Sequence, residues 1–177
     1  LEGKPLPKPH PLTPRFVSSL QKPFRLVIAG SAGGKVRSSA RLVGEAALLS
    51  NLWAAQRDDY PITVKTGHSV AELVLSPSEI HYSGIARPDA LIVLSKDGLG
   101  KVGAQLAAME AGDRVFTVPD LVEPVMTRAN VTVIDPKQSP VKLGAGRVSL
   151  YCVTKALMEL GAVPMEALEA AASSGAH

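Results

Sequence analysis

Short apolar runs alternate along the chain with longer stretches in which apolar residues recur every three or four positions. The first run, FRLVIAG (24–30), stops at a glycine, as expected of a strand buried on both faces. VRSSARLVGEAALLSNL (36–52) follows with Val36, Ala40, Val43, Ala47 and Leu48 on one face, which predicts an amphipathic helix. WAAQRDD (53–59) reads as a short second strand. SVAELVLSPSEI (69–80) sets Val70, Glu72 and Val74 against Ala71, Leu73 and Leu75, a strand ending at Pro77. PDALIVLS (88–95) is another buried strand, and GLGKVGAQLAAMEAG (98–112) a helix closed by Gly112 in the C′ position. RVFTVPD (114–120) and NVTVID (130–135) are two more short strands. AGRVSLYCVTKALMELG (145–161) and PMEALEAAASS (164–174) close the chain as helices, the last with Pro164 at N1. This alternation predicts a three-layer α/β/α fold with a mostly parallel sheet covered on both faces.

Ahead of this pattern, residues 1–23 hold six of the fourteen prolines: Pro5, Pro7, Pro9, Pro11, Pro14 and Pro23. Proline fixes φ and removes a donor, so the segment reads as a Pro-rich extended arm, followed by one α/β domain over 24–177. Phe16, Val17 and Leu20 are apolar anchors in the arm, suited to lying across a partner.

Bulk composition narrows the classes of function. The 177 residues suit one domain; 46% are hydrophobic and only 4% aromatic, so the core is aliphatic. A net charge of +3 without like-charge runs argues against nucleic-acid binding. No segment reaches the roughly 18 consecutive apolar residues of a membrane span. There is no signal-peptide core, and a reducing cytoplasm is the expected setting. The missing initiator Met suggests a processed chain or part of a longer one. Cys152, the single cysteine, reads as a small buried hydrophobe. His10, His68, His81 and His177 are scattered and suggest no metal set. Asp58 and Asp59, adjacent on an extended chain, should point opposite ways.

Candidate chemistry centres on IAGSAGGKVRSSA (28–40), where Gly30, Gly33 and Gly34 lie in a small-residue turn between a strand and a helix. The Walker pattern fails, because Lys35 is followed by Val36 and Ala29 stands where its first glycine belongs. The dinucleotide fingerprint fails on spacing. Such a turn still leaves free N–H groups at a helix N-terminus, so it is either an anion contact beside Lys35 or a purely structural bend. Lys35, Lys65, Thr66 and His68 lie on two loops that a parallel sheet brings near one crevice. There they could meet the phosphates of coenzyme A, meet an acidic surface of a neighbouring subunit, or remain ordinary solvated residues. Trp53 and Tyr60 flank the second loop, as interface aromatics or as core fillers.

Four segments, IAGSAGGKVRSSARLVGEAA, YPITVKTGHSVAELVLSPSEI, RPDALIVLS and LMELGAVPMEALEAA, together resemble the gamma subunit, or gamma domain, of the 2-oxoacid:ferredoxin oxidoreductases. Against that family's opening G-x-G-G-Q-G-V, Gly30, Gly33 and Val36 match and Ser38 takes a hydroxyl position; Tyr60, Gly67, Ser69, Ala71, Ser76 and Ile80 match its later positions. The departures are Ala32, Gly34 and Lys35 in the first block, and Lys65, Thr66, His68 and Pro77 in the second. The resemblance spans about residues 24–174. It implies a non-catalytic subunit of a hetero-oligomer that oxidatively decarboxylates a 2-oxoacid to an acyl-CoA. It implies alpha, beta and ferredoxin-like (delta) partners that carry thiamine diphosphate, magnesium and [4Fe-4S] clusters, with this chain aiding assembly and coenzyme A access. One cysteine cannot ligate a cluster that takes four thiolates.

Overall fold

The protein is described by a computed structural model covering residues 12–61 and 67–174. The chain runs β1 (Phe24–Ser31), α1 (Val36–Leu49), β2 (Trp53–Asp59), β3 (His68–Ser76), β4 (Ala90–Val93), α2 (Lys96–Lys101) and α3 (Gly103–Ala108). It continues through β5 (Arg114–Thr117), β6 (Asn130–Val133), α4 (Val148–Leu160) and α5 (Met165–Ser174). The strands form one six-stranded sheet in the order β2-β3-β1-β4-β5-β6. β1, β4, β5 and β6 pair in parallel, while β3 runs antiparallel to both β1 and β2. Only β3 therefore opposes the common direction, and the sheet is mostly parallel.

Both faces are buried, which explains the apolar runs of the central strands. On one face Leu26, Ile28, Leu73, Leu75 and Ile92 pack against α1, α4 and α5. On the other, Val27, Ala29, Val74, Leu91 and Val93 pack against Val102, Leu106 and Met109 of the α2–α3 segment. Each such aliphatic side chain is worth about 1.5–3 kcal/mol when fully buried. In α1, Val36, Ala40, Val43 and Ala47 face the core as their spacing predicts, but Leu48 is half-exposed and Leu49 is buried instead.

The expected helix over 98–112 differs in the structure. It starts earlier, where the Ser95 hydroxyl accepts from the Gly98 amide (3.1 Å), and breaks at Val102 into α2 and α3. Glycines at 98, 100 and 103 weaken helix continuity. The helix ends at Ala108, because Met109 turns extended and buries completely, and Asp113 then accepts from the Glu110 amide (2.8 Å). Gly112 is thus not a C′ residue but part of the turn before β5. Pro164 lies one position outside α5, its carbonyl accepting from Ala167 and Leu168.

Within residues 12–23, the Arg15 and Phe16 amides both donate to the Leu49 carbonyl (2.9 Å each), and the Ser18 hydroxyl donates to the Ala162 carbonyl (3.0 Å). Phe16 and Leu20 pack on the chain's own core, whereas Val17 is 86% exposed. Two of the three anchors expected to seek a partner thus cover this domain. Among the described residues, no helix is long and apolar enough to cross a membrane.

Candidate functional site

β1 and β4 lie side by side, and the helices that follow them leave to opposite faces, α1 to one and α2 to the other. That divergence makes the carboxyl ends of the two strands a topological switch point, the place where sheets of this kind bind ligands. The glycine turn lies there. Gly30 is there for close approach: a Cβ would meet Val36 Cγ2 at 2.8 Å. Gly98, at the start of α2, is more tightly constrained, since its Cβ would sit 2.5 Å from the Gly30 nitrogen. Gly33 turns the chain at φ +79, and the Gly34 amide donates to the Ser31 carbonyl (3.0 Å). The loop is therefore packed glycine against glycine between α1 and α2.

Lys35 is the loop's unusual residue. It takes the left-handed conformation (φ 64, ψ 21) at the N-cap of α1, with no side-chain cap and no acid in the first turn. A non-glycine residue pays about 1–2 kcal/mol for that geometry. The α1 amides of Val36, Arg37 and Ser38 thus lack a side-chain cap, and the helix dipole adds positive potential there. The Lys35 stem lies along the 3-10 turn Ala145–Arg147: a Cβ on Gly146 would be 3.6 Å from Lys35 Cγ. Ser149 of α4 donates to the Gly34 carbonyl, tying the last third of the chain to the loop. Among the described residues, Lys35 has no ion-pair partner.

The two candidate loops meet through their backbones, the Ala32 amide donating to the Gly67 carbonyl (2.8 Å), with Ser31 opposite His68 in the β1–β3 ladder. Their side chains diverge. Lys35 sits with α1 and α4, whereas His68 Nε2 lies 3.5 Å from Asp59 Oδ1, a contact too long for a firm hydrogen bond. Lys101 of α2 holds the other Asp59 oxygen at 3.2 Å. Burial alone would raise the Asp59 pKa, but contacts with Lys101 and His68 outweigh it and hold the carboxyl below its usual range. Lys65 and Thr66 lie outside the described residues.

Asp58 and Asp59 do point apart: Asp58 accepts from Arg37 Nε (3.0 Å) beside α1, and Asp59 faces Lys101. Tyr60 carries the Arg37 guanidinium 4.7 Å from its ring centre and is 50% exposed. Trp53, at the opposite end of β2 and so not beside that loop, is 52% exposed. Neither aromatic fills the core. The sequence assigns no role to Ser31 and Asp97, and to Asp59 only a direction away from Asp58. Ser31 donates to Asp97 Oδ2 (3.0 Å), joining the end of β1 to α2. The helix-start signal of Ser95 with an acid two residues on, an N-cap pattern, was legible in the sequence. The Asp59–His68 approach was not, because it depends on the β2–β3 register.

Comparison with known proteins gives the family and the fold. The family model for pyruvate ferredoxin/flavodoxin oxidoreductase matches residues 25–174. A curated relative, the 2-oxoglutarate synthase subunit KorC of Methanothermobacter marburgensis, is 33% identical over 96 residues, covering 54% of this chain and 50% of that one. The chain thus spans about half the length of the curated relatives it matches. The gamma subunit of a keto/oxoacid ferredoxin oxidoreductase from Geobacter sulfurreducens superposes with TM-score 0.71 at 20% identity, over 87% of each chain. The 2-oxoglutarate:ferredoxin oxidoreductase of Magnetococcus marinus, with 2-oxoglutarate, coenzyme A and succinyl-CoA bound, superposes with TM-score 0.74 at 14% identity, over 88% of this chain and 27% of that one. At such identities the two structures show a shared fold.

Proposed function

The chain belongs to the pyruvate ferredoxin/flavodoxin oxidoreductase family, and from that premise we propose that it is the gamma subunit, or gamma domain, of a cytoplasmic 2-oxoacid:acceptor oxidoreductase. The complete assembly oxidatively decarboxylates a 2-oxoacid, joins the acyl group to coenzyme A and passes two electrons to an acceptor. Alpha, beta and ferredoxin-like partners carry thiamine diphosphate with magnesium and the [4Fe-4S] clusters. This chain's donor set does not fit a cluster: the sequence has one cysteine, and Cys152 is buried with its thiol pKa pushed up to about 11. No step of the chemistry is assigned to its residues.

Its own contribution is structural and electrostatic. The loop after β1 presents Lys35 and the uncapped start of α1, a positive end suited to an acidic surface on a neighbouring subunit. Coenzyme A phosphates are the other anion this positive end would accept; His68, which turns toward Asp59, is not part of it. The observation that carries the proposal is the family match across residues 25–174, nearly the whole described domain.

Reconstitution tests it. The chain purified alone should show no 2-oxoacid-dependent acyl-CoA formation, and adding it to its companion subunits should restore assembly and turnover. Lys35→Glu should weaken that restoration while leaving the isolated chain's melting temperature close to wild type. Turnover by the isolated chain would overturn the proposal.

A further inference from the structure

The two edges of the sheet are built differently. β2, at one edge, carries Arg57, Asp58 and Asp59, charges that discourage another strand from pairing there. β6, at the other, reads Asn130, Val131, Thr132, Val133, with no charge and no proline. Val131 and Val133 share the face that Val115 and Thr117 occupy on β5. Those two neighbours are buried, whereas Val131 is 41% and Val133 46% exposed. The connection from β5 to β6 packs on the same face through Leu121 and Val125 and leaves Val122 and Met126 exposed.

The backbone of β6 is open at the same residues. In a parallel ladder, alternate residues direct both N–H and C=O to one neighbour. The Asn130 amide donates to the Asp113 carbonyl (3.0 Å) and the Ile134 amide to the Thr117 carbonyl (2.8 Å), so Asn130, Thr132 and Ile134 serve β5. Val131 and Val133 therefore turn their amides and carbonyls outward, and among the described residues no further strand takes them. Two charged groups bracket this edge. Arg128 is exposed ahead of it. Asp135 follows it, with Oδ1 accepting from the Lys137 amide (2.9 Å). Neither has an ion-pair partner among the described residues.

We propose that β6 pairs antiparallel with β6 of a second copy of this chain, giving a two-fold dimer with one continuous sheet. The register follows from which groups are free: Val131 lies opposite Val133 of the second copy, and Thr132 opposite its own equivalent. Each such valine pair exchanges both backbone bonds. The valines of the two copies then meet on one face as cross-strand neighbours, covering apolar surface that the single chain exposes. Antiparallel pairing also carries Arg128 of each copy to the level of Asp135 of the other, so both charges find partners on either side of the axis. An unrelated extended segment would satisfy the open backbone alone, whereas a second copy supplies the valines and the opposite charges in the reversed order this edge requires. The short strand makes the seam small and the dimer weak. The proposal does not rest on the subunit reading.

Sedimentation equilibrium of the full chain is the test. A reversible monomer–dimer equilibrium is expected, half-associated at roughly 10–300 µM chain, the range of a small transient interface. Val131→Lys combined with Val133→Lys should abolish it. Val133→Pro, which removes only an outward amide, should weaken it about tenfold or more while the thermal melt stays close to wild type. Arg128→Asp and Asp135→Lys chains should each stay monomeric, since each sets like charges against one another, and an equimolar mixture of the two should recover dimers. A chain monomeric at every concentration up to about 1 mM, a dimer unmoved by the valine variants, or a mixture that fails to recover would overturn the proposal.

Discussion

Replacing Gly98 with alanine should destabilise the chain, whereas the same change two residues away at Gly100 should not. A Cβ at Gly98 would lie 2.5 Å from the Gly30 nitrogen, 2.6 Å from the Ala29 carbonyl carbon and 2.9 Å from its oxygen. All three are backbone atoms of β1, held between β3 and β4 and unable to swing aside. Restoring an ordinary contact of 3.5 Å or more requires α2 to withdraw by about 1 Å. That movement loosens the Ser31–Asp97 bond and the seat of Val102. Overpacking typically costs about 1–3 kcal/mol, and with backbone on the opposing side the upper end applies. For a chain of this length, about 3 kcal/mol lowers Tm by roughly 6–12 °C. At Gly100 a Cβ meets nothing within 4 Å, so alanine there should gain up to about 1 kcal/mol from helix propensity. Urea midpoints and thermal melts followed by circular dichroism measure both variants directly. If the two melt together, Gly98 is not at a close approach and the glycine turn is not the packing device described above.

Three further outcomes follow from the same geometry. Lys35→Gly should stabilise the isolated chain by about 1 kcal/mol, because glycine takes the left-handed conformation freely; an unchanged or lower urea midpoint would refute the strain at this position. Asp59 has its folded pKa held below the ordinary 3.8, so its ion pairs stabilise the fold above that value and the contribution fades as pH falls through the folded pKa. Asp59→Asn should therefore be less stable than wild type at neutral pH and equal to it in strong acid, and a difference independent of pH would contradict this. Cys152 is fully buried with its thiol pKa raised to about 11 by desolvation, so native protein at neutral pH should resist iodoacetamide until it unfolds; rapid labelling of folded protein would place the thiol elsewhere.

Much of the fold was legible because its strands are buried on both faces. LVIA in β1 and ALIV in β4 admit few other readings, and the amphipathic spacing of α1 survives in its buried residues. What was illegible depended on contacts distant in sequence. The 98–112 helix breaks because burying Met109 and satisfying the Glu110 amide with Asp113 outweigh local periodicity. Phe16 and Leu20 belong to the core only once α1 ends beside them. The candidate loops share a backbone bond at Ala32 and Gly67, but no sequence signal showed that Lys35 and His68 send their side chains apart. Glu72 read merely as the polar member of an alternating strand, and only the structure reveals its ion pair with Arg57 (2.6 Å).

The central claim, that this chain is one subunit of a larger 2-oxoacid oxidoreductase, is tested most directly by native mass spectrometry of the chain gently purified from its own cells, with its companions identified by peptide sequencing. The account predicts a hetero-oligomer whose other members bind thiamine diphosphate and iron–sulfur clusters, and their identity would narrow the 2-oxoacid. A lone monomer, or a homo-oligomer without such companions, would contradict it.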